Sequence, residues 1–455
     1  MNAHRPLSEA GMAATGPARV HAKRTSPAFN PSALLDAIGL ATRDGAGDGI
    51  TRESYGPGED TALRLLGCHA ERAGLVADSD RAGNLWLRLA ADTRAEPAVV
   101  IGSHVDSVPR GGNYDGLAGV VAGLAVLDGL ADDWQALPPL RVLALRGEES
   151  AWYGRAYVGS MALLGRLPAA ALALKHRSGG GTLGEALARC GADVSAIARG
   201  EPLLPMPIAA YLELHIEQGP VMVARGWPVA AVTGIRGNLR HNRVRCLGEA
   251  GHSGAVPRWL RHDAVLAVAQ LLARMDEHWR VLLQMGMDLV MTAGICTTPA
   301  ASHAVSVIPG EVQFSFEVRS QDAETLRRFH ALLQQECETV AAERGVRFEF
   351  DEAVASAPAL MDEAWIRRFE AAGAALGQPL ERLPSGAGHD AAMFAAAGIP
   401  AAMLFVRNDH GSHNPREALA EADLAAGIAV LQEAVASLRA HIHPIIVPCT
   451  AKASK

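Results

Sequence analysis

An unbroken apolar run that leads into a glycine-rich loop constrains the fold of this chain most strongly. The run, Ala98 to His104 (AVVIGSH), has the length and composition of a buried strand. Leu140 to Arg146 (LRVLALR) and Tyr211 to Ile216 (YLELHI) have the same character, and a helical pattern of small residues, Gly116 to Leu130, lies between the first two runs. Alternating buried strands and helices predict an α/β fold in which helices flank the sheet.

The pattern changes between about Thr233 and Phe348. Alternating strands, around Arg243 to Leu247 and Val312 to Val318, are accompanied there by two amphipathic helices, near residues 262–284 and 323–344. This segment is long enough to have its own core. It is therefore predicted to be an inserted α+β domain.

After the insert, the sequence again alternates strands and helices, with an apolar strand at Ala401 to Val406 and a helical pattern near residues 418–440. The α/β domain, for which we expect a mixed sheet, is therefore split by the insert. We predict a disordered N-terminal extension at residues 1–29, followed by the first segment of the α/β domain at 30–231. The inserted α+β domain follows at 232–349, and the second segment of the α/β domain at 350–455.

Composition excludes several classes of protein. The 455 residues carry a net charge of −7 without a basic face, which argues against a nucleic-acid partner and favours a small molecule. No apolar run is long enough to span a membrane. Six cysteines are scattered without paired spacing, which indicates free thiols and a cytoplasmic location.

The densest chemical signal is the glycine-rich loop that follows the first strand, GSHVDSVPRGGNYDGLAG, at residues 102–119. His104 offers an imidazole nitrogen to a metal. Asp106, two residues further on, points to the same side in extended backbone and is expected to orient the His104 ring. Asp115 has two carboxylate oxygens and is able to bridge two metals. Taken alone, such a loop is equally compatible with an ordinary turn.

Other polar residues follow the remaining strands. Glu148 and Glu149 follow LRVLALR after a single glycine, and two such carboxylates beside a metal pair can divide the work of ligation and proton transfer. His215 in ELHIEQG and His413 in GSHNP lie where predicted strands meet loops. Separately, each of these residues also has a purely structural explanation.

Seven stretches in order make the sequence resemble the M20-type metallopeptidase superfamily, and within it the hydantoinase/carbamoylase family of N-carbamoyl-L-amino acid hydrolases, allantoate amidohydrolases and β-ureidopropionases. They lie between about residues 102 and 417 and read GSHVDSVPRGGNYDG, GEES, ELHIEQGPV, GHSGAVP with RHDA, VIPGEVQFSFEVR, SGAGHDAAMF and GSHNPRE. Several ordered motifs are much more specific than one.

The resemblance implies two divalent metal ions per subunit. One would be held by His104, Asp115 and His215, and the other by Asp115, Glu149 and His413, with Glu148 as general base. Zinc is the first expectation, and manganese, cobalt or nickel also suit these ligands. In this family position 215 is a histidine where M20 peptidases have a carboxylate, which points to carbamoyl or ureido substrates.

The resemblance also implies an outer ring of residues. It implies that the α/β domain, 30–231 and 350–455, is the catalytic, metal-binding domain, and that the inserted domain, 232–349, is a ferredoxin-like sandwich that serves as lid and dimerisation domain. His252 would stabilise the oxyanion from the inserted domain, through which the family forms homodimers. Arg319 would bind the substrate carboxylate. Further substrate contacts are expected from Gln218, from Ser306, which stands where many relatives have asparagine, and from the loop of Gly386, Ala387 and His389. Trp152 and Tyr153 depart from the common pattern and are interpreted as core residues.

The expected reaction is hydrolysis of the carbamoyl C–N bond of an N-carbamoyl-L-amino acid or a related ureido acid, with release of the amino acid, CO₂ and ammonia. Allantoate hydrolysis is one alternative, and an M20 aminoacylase or dipeptidase using the same metals is another. A metal-free binding or scaffold protein is the alternative from another class. It would lack a ligand or the base, whereas all six positions are filled here.

Overall fold

The computed structural model describes residues 29–45 and 48–441. The predicted N-terminal extension therefore lies outside the described residues, apart from Phe29. Within the described residues, no helix is both long and apolar enough to cross a membrane.

The stretch of the chain before the predicted insert alternates strands and helices as predicted. Its strands are β1 (Leu75–Ser79), β2 (Leu85–Leu89), β3 (Ala98–His104), β4 (Leu140–Leu145), β5 (Ile208–Ile216) and β6 (Val229–Ile235). Its helices are α1 (Pro31–Ala41), α2 (Pro57–Arg72), α3 (Leu117–Gly129), α4 (Val158–Leu163), α5 (Leu183–Arg189), α6 (Val194–Ala198) and α7 (Val221–Arg225).

The middle of the chain is richer in strands. It contains β7 (Gly237–Leu247), β8 (Gly251–His252), α8 (Ala264–Gln284), β9 (Val290–Thr292), β10 (Cys296–Thr297), β11 (Val307–Ile308), β12 (Glu311–Ser320), α9 (Ala323–Arg344), β13 (Arg347–Phe350) and β14 (Val354–Ser356). The remainder returns to alternation, with β15 (Ala359–Leu360), α10 (Glu363–Ala375), β16 (Glu381–Ser385), α11 (Ala391–Ala396), β17 (Ala401–Val406) and α12 (Glu421–Ala436).

The larger sheet is mixed and has nine strands. Its order is β1-β2-β4-β3-β5-β17-β6-β15, with β16 paired to β6. The four central strands, β4, β3, β5 and β17, are parallel to one another, and β2 and β6 flank them in the antiparallel sense. A mixed sheet covered by helices confirms the predicted α/β class.

Helices cover both faces of this sheet, which explains why β3 is apolar almost throughout and buried at every residue. On one face of the sheet, an apolar cluster includes residues of α1, α2, α3, α10 and α12. On the other face, a second apolar cluster includes residues of α4, α5, α6 and α11. Ten of the thirteen residues of α3 are buried. The sheet is thus a rigid platform for side chains at the strand ends.

The smaller sheet has six strands, in the order β10-β12-β7-β13, with β9 paired to β12 and β14 paired to β7. Its apolar face packs with α8 and α9 around Phe314, Phe316 and Phe329. The inward side chains of β12 alternate regularly with half-exposed ones. Because β14 belongs to this sheet, the sheet extends beyond residue 349.

Candidate active site

The carboxyl ends of the four parallel strands form one edge of the larger sheet, and the candidate residues lie along it. His104 is the last residue of β3 and pairs with Leu145 at the end of β4. Glu148 and Glu149 follow β4 closely, and His215 is the penultimate residue of β5. His413 lies on the loop after β17. Ligand crevices form at such edges because loops from several strands meet there.

Asp115 lies at the centre of this cluster. Its Oδ1 is 3.6 Å from His104 Nε2 and 3.2 Å from His215 Nε2, and its Oδ2 is 3.2 Å from His413 Nε2. His413 Nε2 is also 3.3 Å from Glu149 Oε1. The described residues form three groups of candidate metal ligands, of which one consists of Glu213, His215 and His389. The other two, His104 with Asp115 and His215, and Asp115 with Glu149 and His413, share one carboxylate.

These spacings suit metal ions. Ligand bonds of about 2.0–2.1 Å in tetrahedral geometry place two ligand atoms about 3.3–3.4 Å apart. The buried Nε2 of His215 has no hydrogen-bond partner among the described residues, as expected of a metal-ligating nitrogen. Nδ1 of the same ring lies 2.9 Å from the carbonyl of Ile216, which would fix the tautomer. The residues present thus fit a pair of cations.

The electrostatics of the cluster also favour added positive charge. Burial alone would raise the pKa of Asp115, but the three neighbouring histidines hold it well below its usual value. Conversely, the carboxylates of Asp115 and Glu149 raise the pKa of His413 to about 10. The pKa values of His104 and His215 are also raised, against the effect of their burial. A site that favours protonated histidines is one that favours cations.

Gly116 lets the loop fold this tightly. It has a left-handed backbone, with φ of 67°, and a Cβ atom there would lie 2.5 Å from the ring of His104. Any other residue would collide with the imidazole. The glycine therefore allows Asp115 and His104 to lie side by side before α3 begins.

Asp106 supports the cluster in two ways. Nδ1 of His104 lies 3.0 Å from the backbone carbonyl of Asp106 and 3.4 Å from its carboxylate, so Asp106 lies beside the His104 ring on the side that the spacing predicts. The carboxylate also accepts the backbone N–H groups of Glu148 and Glu149, at 3.0 and 3.1 Å, and the hydroxyl of Ser54 at 2.6 Å. Asp106 thus ties the end of β3 to the two glutamates after β4.

Glu148 is buried next to the cluster, and its carboxyl is the candidate proton acceptor. Burial raises its pKa well above the usual value, and the charges of Glu149, Asp390 and Asp106 act in the same direction, while His104 opposes them. A carboxylate with a raised pKa takes up and releases a proton near neutral pH more readily than an exposed one does. Glu148 is therefore suited to proton transfer.

A buried ion pair holds the segment before Glu148. The guanidinium of Arg146 donates to Glu59, which also accepts the backbone N–H groups of Gly147, at 2.9 Å, and Tyr55, at 2.8 Å. The side chains of Arg146 and Glu59 are 5% and 0% exposed, so neither charge has water as a substitute partner. The ion pair fixes the backbone of Arg146 and Gly147, which connects the end of β4 to Glu148.

Replacing Arg146 by methionine is expected to lower the free energy of unfolding by about 3–5 kcal/mol, because Glu59 would be left buried without its partner. Urea denaturation of the metal-free protein measures this. Adding Glu59→Leu should restore part of the loss, and Arg199→Met, which breaks the exposed pair with Glu201, should have no measurable effect. A loss in Arg146→Met no greater than in Arg199→Met would contradict the expectation.

The predicted substrate contacts lie partly beside the cluster. The amide of Gln218 donates to Asp115 Oδ2 at 2.9 Å, and its own Oε1 is buried without a hydrogen bond among the described residues. Arg319 reaches from β12 to the carbonyl of Gly386, at 2.9 Å, and pairs with Glu317 at 3.1 Å. Arg319 therefore connects the smaller sheet to the loop that follows β16.

The loop after β16 contributes a side chain as well as backbone. His389 is buried, and its ring meets the ring of His215 edge-on with centroids 4.4 Å apart. Its Nε2 lies 2.8 Å from the hydroxyl of Ser385, which also holds the backbone of Ala387. His389 thus packs behind a candidate metal ligand, a role that the sequence did not suggest.

His252 and Ser306 lie close to each other in the smaller domain. His252 is exposed on β8, which pairs with β11, and the carbonyl of Ser306 accepts the N–H of Ser253 at 2.9 Å. Among the described residues, no hydrogen bond joins either residue to the six clustered ones. Their predicted roles stay predictions.

Trp152 and Tyr153 are buried, at 6% and 7% exposure, in agreement with core packing. The Trp152 indole donates to the carbonyl of Ser107 at 2.8 Å and its ring stacks on His176.

Two residues that contact the cluster were missed in the sequence, Ser412 and Glu417. Both hydrogen-bond to Asp115, Ser412 at its carboxylate and Glu417 at its backbone. Both lie in the stretch GSHNPRE, and their adjacency to His413 was the only available signal.

Comparison with known proteins agrees with this geometry. The model of Peptidase family M20/M25/M40 matches residues 100–437. An N-carbamoyl-L-amino acid amidohydrolase of Geobacillus stearothermophilus is 35% identical, over 85% of this chain and 93% of the relative. An allantoate amidohydrolase of Escherichia coli is 31% identical, over 84% and 91%. The crystal structure of a hydantoinase/carbamoylase family amidase from Burkholderia ambifaria is 32% identical, with a TM-score of 0.77 over 90% of this chain and 98% of that one.

A strand-end cluster of histidines and carboxylates on this fold, matched over most of its length, defines the class. The chain belongs to the peptidase family M20/M25/M40 and, within it, to the hydantoinase/carbamoylase group.

Proposed function

We propose that this protein is a metal-dependent amidohydrolase that cleaves the carbamoyl C–N bond of an N-carbamoyl-L-amino acid or a related ureido acid. The observation that carries the proposal is the position of Asp115 between two groups of ligands, with Glu148 buried beside them. Relatives whose names specify carbamoyl amino acids and allantoate support the substrate class.

The proposed cofactor is a pair of divalent cations, zinc first, with manganese, cobalt or nickel as alternatives. His104, Asp115 and His215 would hold one cation, and Asp115, Glu149 and His413 the other. When bound, such a pair lowers the pKa of a water and polarises the substrate carbonyl. The side chain of His413 is 51% exposed, so this half of the cluster is open to an incoming substrate.

Glu148 would carry the proton. It takes a proton from the attacking water, whose oxygen bonds to the carbamoyl carbon, and returns it to the amino nitrogen as the C–N bond breaks. The products are the free amino acid and carbamic acid, which decomposes to CO₂ and ammonia. Asp106 keeps Glu148 in place through its backbone N–H.

Arg319 and the Gly386 to His389 loop would recognise the acid group of the substrate. A guanidinium binds a carboxylate through two parallel hydrogen bonds. Arg319 already lies at that loop, and one of its nitrogens is engaged by Glu317, which orients the side chain. Gln218 would contact the substrate amide, and Ser306 would line the pocket from the smaller domain.

The segment from 232 to 349 would act as lid and dimerisation domain, and His252 would donate to the developing oxyanion, within its own subunit or across a homodimer. Such a donor lowers the barrier by about 3–4 kcal/mol.

A cytoplasmic location is proposed because the five described cysteines are free.

A substrate panel tests the proposal. The metal-reconstituted enzyme is assayed for ammonia release from N-carbamoyl-L-amino acids, allantoate and β-ureidopropionate, and for cleavage of N-acetyl amino acids and dipeptides, with the metal-free protein as control. Ammonia from at least one ureido compound is expected, only with metal present. Dipeptide or N-acetyl turnover without any ureido turnover would favour the aminoacylase or dipeptidase alternative and overturn the proposal.

A further inference from the structure

We propose that Glu417, acting through Ser412, is a positioning residue that holds the Asp115 carboxylate between the two groups of ligands. This inference rests on the proposed function. It assigns a task to a buried acid that neither ligates a cation nor carries the proton in that scheme.

The contacts of Glu417 all lead to residues of the cluster or their neighbours. Its Oε1 accepts the backbone N–H of Asp115 at 3.2 Å and that of Tyr114 at 2.8 Å. Its Oε2 accepts the hydroxyl of Ser412 at 2.6 Å. One carboxylate therefore connects the loop before α3, which carries Asp115, to the loop after β17, which carries His413.

Ser412 completes the connection to the reactive end of Asp115. Its Oγ lies 2.7 Å from Asp115 Oδ2, the same oxygen that faces His413. Glu417 thus fixes Asp115 from two sides, directly at its backbone and, at its carboxylate, through the Ser412 hydroxyl, whose single proton lies between the two carboxylates. A rotation of Asp115 away from His413 would break both the Ser412 contact and the Gln218 contact.

The loop is shaped around this carboxylate. Glu417 is 7% exposed, and a Cβ atom at Gly112 would lie 2.1 Å from its Cδ and Oε1, so only glycine fits there. Burying a second carboxylate close to Asp115 is costly. Cations bound at Asp115 would offset that cost, and because the contacts of Glu417 go to the ligand-bearing loops, we assign it to the metal site rather than to general packing.

The test uses the metal-free full-length chain and Co²⁺ as the probe. Calorimetry gives the stoichiometry and Kd, visible absorption reports the coordination, and thermal melting is recorded with and without Co²⁺. Glu417→Gln is expected to weaken Co²⁺ binding by about 10–100-fold, as loss of a partner that orients a metal ligand does. The added stability that Co²⁺ gives to the wild type should shrink accordingly. Glu421→Gln, an exposed change in the first turn of α12, should match the wild type.

The inference is overturned if Glu417→Gln binds two Co²⁺ with the wild-type Kd, or if its melting temperature falls equally with and without Co²⁺, as a purely structural role would require. Should Glu417→Gln fail to fold, Ser412→Ala removes only the hydroxyl, and a wild-type Kd in that variant is equally decisive. Failure of the proposed function has a separate signature, because it would be seen in the wild type as no Co²⁺ binding or no ammonia release.

Discussion

Asp115→Ala is expected to abolish tight binding of both cations and to reduce ammonia release to the level of the metal-free wild type. The reason is geometric. Asp115 Oδ1 faces His104 and His215, whereas its Oδ2 faces His413. One substitution therefore leaves each group with two protein ligands in place of three, and a catalytic metal site usually has three.

Metal analysis after gel filtration and a ureido-substrate assay measure this result. Asp276→Ala, an exposed change on α8, provides the matched control and should bind two equivalents. Retention of two tightly bound equivalents and full activity by Asp115→Ala would disprove the ligand assignment.

Glu148→Gln is expected to lower kcat by about 10²–10⁴-fold while two equivalents of metal remain bound. The amide has nearly the shape of the carboxylate but cannot accept the proton of the attacking water. The backbone N–H of residue 148 still donates to Asp106, so the geometry around the ligands should persist. The substrate KM should change much less than kcat.

Steady-state kinetics with metal analysis on the same preparations separate the two effects. Glu338→Gln, an exposed change on α9, serves as control. A variant at Glu148 that keeps wild-type kcat with both metals bound would exclude this residue as the base. Asp390, which is also buried nearby, would then be the next candidate for the general base.

The central strands were predictable because each is a short apolar run. A strand buried on both faces has no polar alternation to obscure its limits, and β3 begins and ends at the predicted residues, Ala98 and His104. The helix expected near residues 262–284 begins at Ala264 because the side chain of Asp263 caps the first N–H groups. The convergence of His104, Glu149, His215 and His413 followed from their common place after parallel strands.

Contacts between distant loops were not predictable. The place of Asp106 beside the His104 ring followed from spacing, whereas its hydrogen bonds to the backbone of Glu148 and Glu149, which follow the neighbouring strand, did not. Glu417 is 302 residues from Asp115, and only the folded chain shows that they meet. The contact of Arg319 with Gly386 likewise depends on how the smaller sheet lies against the larger one. Spacing along the sequence determines to which side of a strand a side chain points, but not which distant residues it contacts.

The strand order has a consequence for how the protein is made. Among the described strands, β17 lies between β5 and β6 in the larger sheet, so β6, β15 and β16 pair with the rest of the sheet only through a strand that begins at Ala401. Pairings this distant in sequence form late and slowly. During translation, the edge of β5 that pairs with β17 therefore stays unpaired until the ribosome has synthesised β17, almost two hundred residues later. We expect nascent chains to depend on chaperones during this interval, and hydrolytic activity to arise abruptly as the last central strand inserts.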